Sequence, residues 1–250
     1  MTGRTVLITG GTRGIGRAIA RRLAREQPGL IVVGYCQNHG AARETVAGLR
    51  ALGVDAEACS TEVGDVRMLQ RLFDRVRERS GRLDVFVSNA ARTSFRPVME
   101  LDPRSWQRIM DLNARAFLAG SQMAAALMRE NGGGRIIALS SLGSRFATHN
   151  YAGLGAAKAT IEALTRYLAV ELAPLHINVN AVCGGFVDTH SMRLAPDFEE
   201  LAEYVASHTP VRRVATPEDL AGVVALLCSP DSDWIRGQTI VADGGFSLTL

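Results

Sequence analysis

Of the 28 basic residues in this chain, 27 are arginine and one, Lys158, is lysine. The two serve equally well on most solvated surfaces, so the one retained lysine is a candidate for a task arginine cannot do. That task needs a compact ammonium on a flexible stem, with a pKa that its surroundings can lower. Tyr151 stands seven residues earlier, two helical turns away, which predicts both side chains on one helix face. A second constellation is Thr9-Gly10-Gly11-Thr12-Arg13-Gly14-Ile15-Gly16, following an apolar run and opening an amphipathic one. Glycines at such a turn let backbone N–H groups approach a pyrophosphate at the positive end of a helix. A tight turn without a ligand is the plainer reading, but the turn sits in the first strand-turn-helix, where a dinucleotide fold needs it. The next apolar run ends in Gly34-Tyr35-Cys36-Gln37-Asn38, with no acid to repel a 2′-phosphate, and Arg13 supplies a guanidinium that suits one. Those two features favour NADP(H), although Arg13 also fits an ordinary surface arginine.

Positioning these groups takes an alternation of short β-branched runs and longer amphipathic stretches. Strands are expected at 6–8, 30–33, 84–87, 135–139, 177–179 and 239–241, with a weaker one at 54–59. Helices are expected near 14–27, 40–52, 65–80, 103–129, 151–173 and 217–228, two of them opened by Asp102-Pro103 and Thr216-Pro217. Strict alternation predicts an α/β chain, a single-domain doubly wound parallel sheet of about seven strands (Rossmann fold), with helices on both faces. Residues 1–250 read as that one domain, and 183–210, with little periodicity, as a substrate lid. A net charge of +3 without a basic tract argues against nucleic acid. No apolar stretch has the length of a bilayer span or of a signal peptide's core, so the expectation is a cytoplasmic protein. Cys36, Cys59, Cys183 and Cys228 form no CxxC pair and the five histidines have no ligand spacing, so no metal is expected.

Together with Asn89-Ala90-Ala91, Asn113, Ser140-Ser141 and the Tyr151/Lys158 pair, the glycine turn falls in the order of the short-chain dehydrogenase/reductase family, which the chain resembles over essentially its whole length. The resemblance implies that Asn89, Ala90 and Ala91 form the floor beside the adenosine ribose and that Glu62 and Val63 lie against adenine. It also implies that the segment from Gly184 through Val187 to Thr189 holds the nicotinamide amide. Lys158 would hold the nicotinamide ribose, and Asn113 would organise a water near it.

The chain departs from the family's ketone-reducing members, which place tyrosine four residues before the lysine; here that residue is Leu154. The Tyr-x6-Lys spacing resembles the family's enoyl-thioester reductases. Arg96–Leu101, Asn131–Gly134, Ser140–Ser144, Leu164–Leu172 and Ile235–Ile240 are similar to the FabL type of NADPH-dependent enoyl-acyl-carrier-protein reductase. In an enoyl thioester, hydride enters at C3 while charge collects on the oxygen at C1. Moving the phenol three residues along a helix shifts it by about 4.5 Å, the scale of the two extra bonds. The reading is therefore reduction of an enoyl thioester, in fatty-acid or polyketide-type metabolism. Tyr151 would serve the enolate oxygen, Lys158 would favour the tyrosinate and Ser140 would bond the substrate. The carrier stays open between acyl carrier protein and CoA. A carbonyl reductase and a non-catalytic NADP(H) sensor are the rival readings. Ala124, Ala125, Leu127, Ile161, Leu164 and Leu168 put apolar side chains on several faces of two long helices, from which a homotetramer is expected.

Overall fold

Runs such as Val6-Leu7-Ile8 and Ile31-Val32-Val33 have no accessible surface, and a strand apolar on both faces must be covered on both. The computed structural model describes residues 1–92, 95–190, 192–194 and 197–249. Its strands are β1 (Thr5–Thr9), β2 (Leu30–Tyr35), β3 (Asp55–Ser60), β4 (Val85–Ser88), β5 (Gly134–Ser141), β6 (Ile177–Gly184) and β7 (Thr239–Ala242). They form one parallel sheet in the order β3-β2-β1-β4-β5-β6-β7. The helices are α1 (Gly14–Ala24), α2 (His39–Ala51), α3 (Val66–Ser80), α4 (Pro103–Met110), α5 (Ala116–Met128), α6 (Ala152–Glu171), α7 (Phe198–His208) and α8 (Pro217–Leu227).

The pleat sorts alternate residues to opposite layers. Val6 and Ile8 pack with Ile19, Leu23, Leu220 and Val224 from α1 and α8. Leu7 between them packs with Leu72, Phe86 and Phe117 on the far side. Ile8 aligns with Val33 on β2 and with Val87 on β4. The strand order reverses between β1 and β4, so the connections leaving these strands diverge and open a crevice at their C-terminal ends. Both marked helix starts form. Asp102 accepts hydrogen bonds from the Arg104 and Ser105 amides, and Thr216 forms a reciprocal capping box with Asp219.

Three expected elements differ. The helix expected at 103–129 is broken by a π turn, Asp111–Arg115. The helix expected from residue 151 begins at Ala152, leaving Tyr151 just outside it at φ −111°, ψ 2°. The segment 183–210 is more regular than its sequence suggests: it begins inside β6 and contains α7. The apolar residues taken as a sign of assembly are also redirected. Ala124, Ala125, Leu127, Ile161 and Leu168 are buried within the single chain, whereas Tyr167 and Val170 of α6 are exposed. No helix of the described residues is long and apolar enough to cross a membrane.

Candidate active site

The glycine turn lies where β1 enters the crevice. A methyl on Gly16 would stand 2.2 Å from the Gly10 carbonyl oxygen, so only glycine lets α1 start this close to the end of β1. Asn89, leaving β4, braces the turn by donating from Nδ2 to the carbonyls of Thr9 and Gly10 at 3.0 Å each. The Asn89 and Ala90 amides donate to Thr9 Oγ1, while Ala91 is exposed. Thr12 is buried, its carbonyl accepting from Thr45 Oγ1, and Ile15 packs on the core beneath. Gly14 has φ +50°, and the Thr189 methyl lies 3.7 Å from where a side chain on Gly14 would begin. Thr189 arrives from the end of β6 at Gly184, through Val187, which bridges to Ala215. Thr189, which the resemblance assigns to the nicotinamide amide, thus stands beside the glycine turn.

The end of β2 meets a carboxylate brought by its neighbour β3. Glu62, following β3, accepts a hydrogen bond from the Cys36 thiol at 3.3 Å and from the Gly64 amide; Val63 beside it is buried. Burial, then Glu62, push the Cys36 thiol up, and Arg92 and Arg13 act against them. No acid follows β2 directly, yet β3 delivers one, and a second arginine, Arg92, joins Arg13. Adjacent parallel strands end side by side, and Cys36 and Glu62 are 26 residues apart in the chain. A search at the end of β2 alone misses both.

Across the crevice, the end of β5 organises the phenol and the amine. Tyr151 Oη donates to Ser141 Oγ at 3.2 Å, and Lys158 Nζ donates to the Leu139 carbonyl at 2.7 Å. No hydrogen bond joins Tyr151 to Lys158; each is held separately by β5. Burial pushes the Tyr151 phenol up, opposed by its bond to Ser141, so it keeps its proton at neutral pH. Burial lowers Lys158 to about 8. The Cδ1–Cε1 edge of the Tyr151 ring meets Gly143, where a methyl would come within 2.5 Å of it. Phe95 approaches the ring at 6.1 Å between centroids, and Phe186 stands against Phe198. Met99 is 92% exposed.

Ser140 does not occupy the place expected of it. Neighbouring side chains on a strand point to opposite sides, and when Ser141 meets Tyr151, Ser140 turns to Glu162. Ser140 Oγ donates to Glu162 Oε1 at 2.7 Å, and Ser144 Oγ to the same oxygen at 2.6 Å. Arg145 pairs with the other carboxylate oxygen at 3.3 Å. Glu162, 7% exposed, was not singled out because a glutamate at helical spacing reads as solvated surface. Leu154, at the ketone-reducing position, is buried among Ile109 and Ala157. Asn113 lies in the π turn, where Nδ2 donates to the Ile109 carbonyl at 2.8 Å. Its Oδ1 is buried without a partner among the described residues, as a water-organising side chain requires.

A glycine cradle at the switch point of a parallel sheet, facing a protonated phenol and a buried lysine, defines an oxidoreductase that uses a nicotinamide dinucleotide. The residues fit that group: a Cβ at Gly16 would fill the cradle, and Thr189 closes it from above. A family model described as Enoyl-(Acyl carrier protein) reductase matches residues 10–247. The 1-cyclohexenylcarbonyl-CoA reductase of Streptomyces collinus is 43% identical over 97% of this chain and 86% of its own length. A hydroxynaphthalene reductase-like protein of Metarhizium robertsii is 34% identical over 98% and 95%. Among solved structures, a 7α-hydroxysteroid dehydrogenase complexed with NADH and 7-oxo glycochenodeoxycholic acid superposes with a TM-score of 0.91 at 31% identity, covering 97% and 94%. The chain belongs to the short-chain dehydrogenase/reductase family.

Proposed function

We propose that this protein reduces the 2,3 double bond of an enoyl thioester, carried by CoA or an acyl carrier protein, with NADPH as reductant. The observation that carries the reading is the position of the phenol. Tyr151, seven residues before Lys158, shares a hydrogen bond with Ser141, while a buried leucine fills the position four before the lysine. The 43% identical relative is named for a thioester whose double bond adjoins the carbonyl, which supports the same chemistry.

When bound, the nicotinamide supplies a hydride to C3 of the substrate. Negative charge then gathers on the thioester oxygen, where the Tyr151 hydroxyl turns from Ser141 to donate a hydrogen bond, and a proton from water, added to the enolate at C2, completes the saturated thioester. Ser141, whose own proton is not used by Tyr151, adds a second donor. Lys158, fixed on the Leu139 carbonyl, holds the nicotinamide ribose, and the unpartnered Asn113 Oδ1 holds a water beside it. Arg13 and Arg92 favour the 2′-phosphate of NADPH, and Glu62 opposes them. The active form is a homotetramer, with Tyr167 and Val170, 67% and 75% exposed, covered by a second copy; a monomer in sedimentation at micromolar concentration overturns that part.

Nicotinamide absorbance with crotonyl, acetoacetyl and simple ketone substrates tests the reaction. Consumption with the crotonyl thioester is expected. Tyr151→Phe should lower its kcat by about 10²–10⁴-fold with cofactor affinity kept, and adding Leu154→Tyr should not restore it. Rapid reduction of the acetoacetyl thioester with the crotonyl thioester untouched replaces this reading by the carbonyl reductase, a reading supported by the structural likeness to the hydroxysteroid dehydrogenase complexed with a 7-oxo compound. Cofactor binding without turnover of any substrate makes the chain a sensor.

A further inference from the structure

The end of the sheet opposite the reaction carries a second charged cleft. β5 runs eight residues from Gly134 to Ser141, so its first residue lies about 23 Å from the serine at Tyr151. Around that first residue is a cleft of about 300 Å³ lined by Arg4, Arg82, Arg135 and Arg236, by Asp84 and Asp233, by His176, and by Asn131 and Asn178, whose amides donate to the Leu127 and Ser232 carbonyls. The charges do not balance. Arg82 is committed to Asp84 through two hydrogen bonds. The other three guanidiniums share one carboxylate: Arg135 is bonded to Asp233, and Arg135, Arg236 and Arg4 in that order draw the Asp233 carboxyl below its ordinary value.

Neither Arg4 nor Arg236 forms an ion pair among the described residues. Arg4 reaches only the Met1 sulfur at 4.0 Å, and Arg236 only the carbonyls of Asp233 and Ile177. Arg135 is 9% exposed, and its Nη1 is buried with no partner among the described residues. A buried guanidinium N–H without an acceptor is costly, and a second negative charge beside the Arg135 guanidinium would offset part of that cost through its field. The three arginines arrive from before β1, from β5 and from before β7, and all line the one cleft.

We propose that this cleft binds a dianionic phosphoryl group, independently of the catalytic site and of the reaction assigned to it. The uncompensated charge of two matches a phosphate or phosphate monoester. Its volume admits a small organic phosphate as well as the free ion.

The test uses the intact protein with its nicotinamide cofactor saturating, so that the glycine turn is filled. Chloride is replaced by inorganic phosphate, by glycerol 3-phosphate or by acetate at constant ionic strength and pH, and Tm is followed. Phosphate or the monoester should raise Tm by about 3–5 °C at tenfold excess over Kd, and acetate should not; the more effective of the two identifies the source. Arg4→Gln with Arg236→Gln should abolish the shift, and Arg67→Gln, an exposed charge on α3, should keep it. Asp233→Asn should lower the phosphate concentration at half-effect several-fold, a gain that structural damage does not produce. No shift in wild type, an equal shift with acetate, an undiminished shift in the Arg4/Arg236 variant, or weaker phosphate binding in Asp233→Asn overturns the proposal.

Discussion

Replacing Lys158 by methionine should stabilise the protein at neutral pH and destabilise it in alkali. Burial lowers this ammonium from 10.5 to about 8, which at about 1.4 kcal/mol per pH unit burdens the charged form by about 3 kcal/mol. Below pH 8 folded and unfolded chains both carry the proton and the whole burden is felt. Between pH 8 and 10.5 the unfolded chain holds more protons than the folded one, so wild-type stability rises with pH. Above 10.5 the burden is gone. Methionine removes the charge at nearly constant length, but it also removes the bond to the Leu139 carbonyl, a loss of about 1–2 kcal/mol. The variant should therefore gain about 1–2 kcal/mol at pH 7, roughly 2–8 °C in Tm, and be the less stable protein by a similar amount near pH 10.5, while losing turnover throughout. Urea unfolding of both proteins without cofactor, taken as a difference at each pH, cancels every other titration. A difference that does not change between pH 7 and 10.5 refutes the argument.

Three further outcomes follow from the same contacts. Ser141→Ala should lower kcat by about 10–100-fold with little loss of stability, whereas Ser140→Ala should lose about 1 kcal/mol of stability and leave kcat nearly unchanged; the reverse pattern in steady-state kinetics and urea melts would exchange their roles. Arg13→Ala should raise the KM for NADPH by about 10–100-fold, in line with one charge-assisted hydrogen bond of about 1.5–3 kcal/mol, and barely change that for NADH. Glu62→Gln should move the NADPH value the other way, and equal effects on both cofactors would show that neither group faces the phosphate. Gly16→Ala puts a methyl 2.2 Å from Gly10 O and 2.5 Å from Asn89 Nδ2, so nicotinamide fluorescence titration should show cofactor binding lost.

What could be read from the chain was whatever depends on neighbours in sequence. The sheet was legible because Val6-Leu7-Ile8 and its counterparts are buried on both faces, and the crevice because the glycine turn is one short segment. The caps at Asp102 and Thr216 are equally local. The choice between Ser140 and Ser141 was not legible, because it depends on the phase of the pleat at the last residues of β5. Glu62 reaches Cys36 only through the pairing of β2 with β3. The π turn at Asp111–Arg115 has the same residue types as the helices it joins, and the apolar faces of α5 and α6 are explained by burial within one chain as well as by a partner. α7 was missed because only Val205 among its residues is buried, which leaves almost no periodic signal.

The start of α6 one residue after Tyr151 separates two responsibilities that a shared helix would have tied together. Lys158 sits two turns inside a rigid element, with its position set by the packing of α6 on β5 and β6. Tyr151 belongs to the incoming loop, resting on Gly143 and Ser141. Insertions or exchanges between residues 145 and 151 can thus re-aim the phenol while Lys158 stays where it is. That short stretch is a natural handle for engineering: libraries confined to it would explore new acceptor geometries on an unchanged cofactor platform.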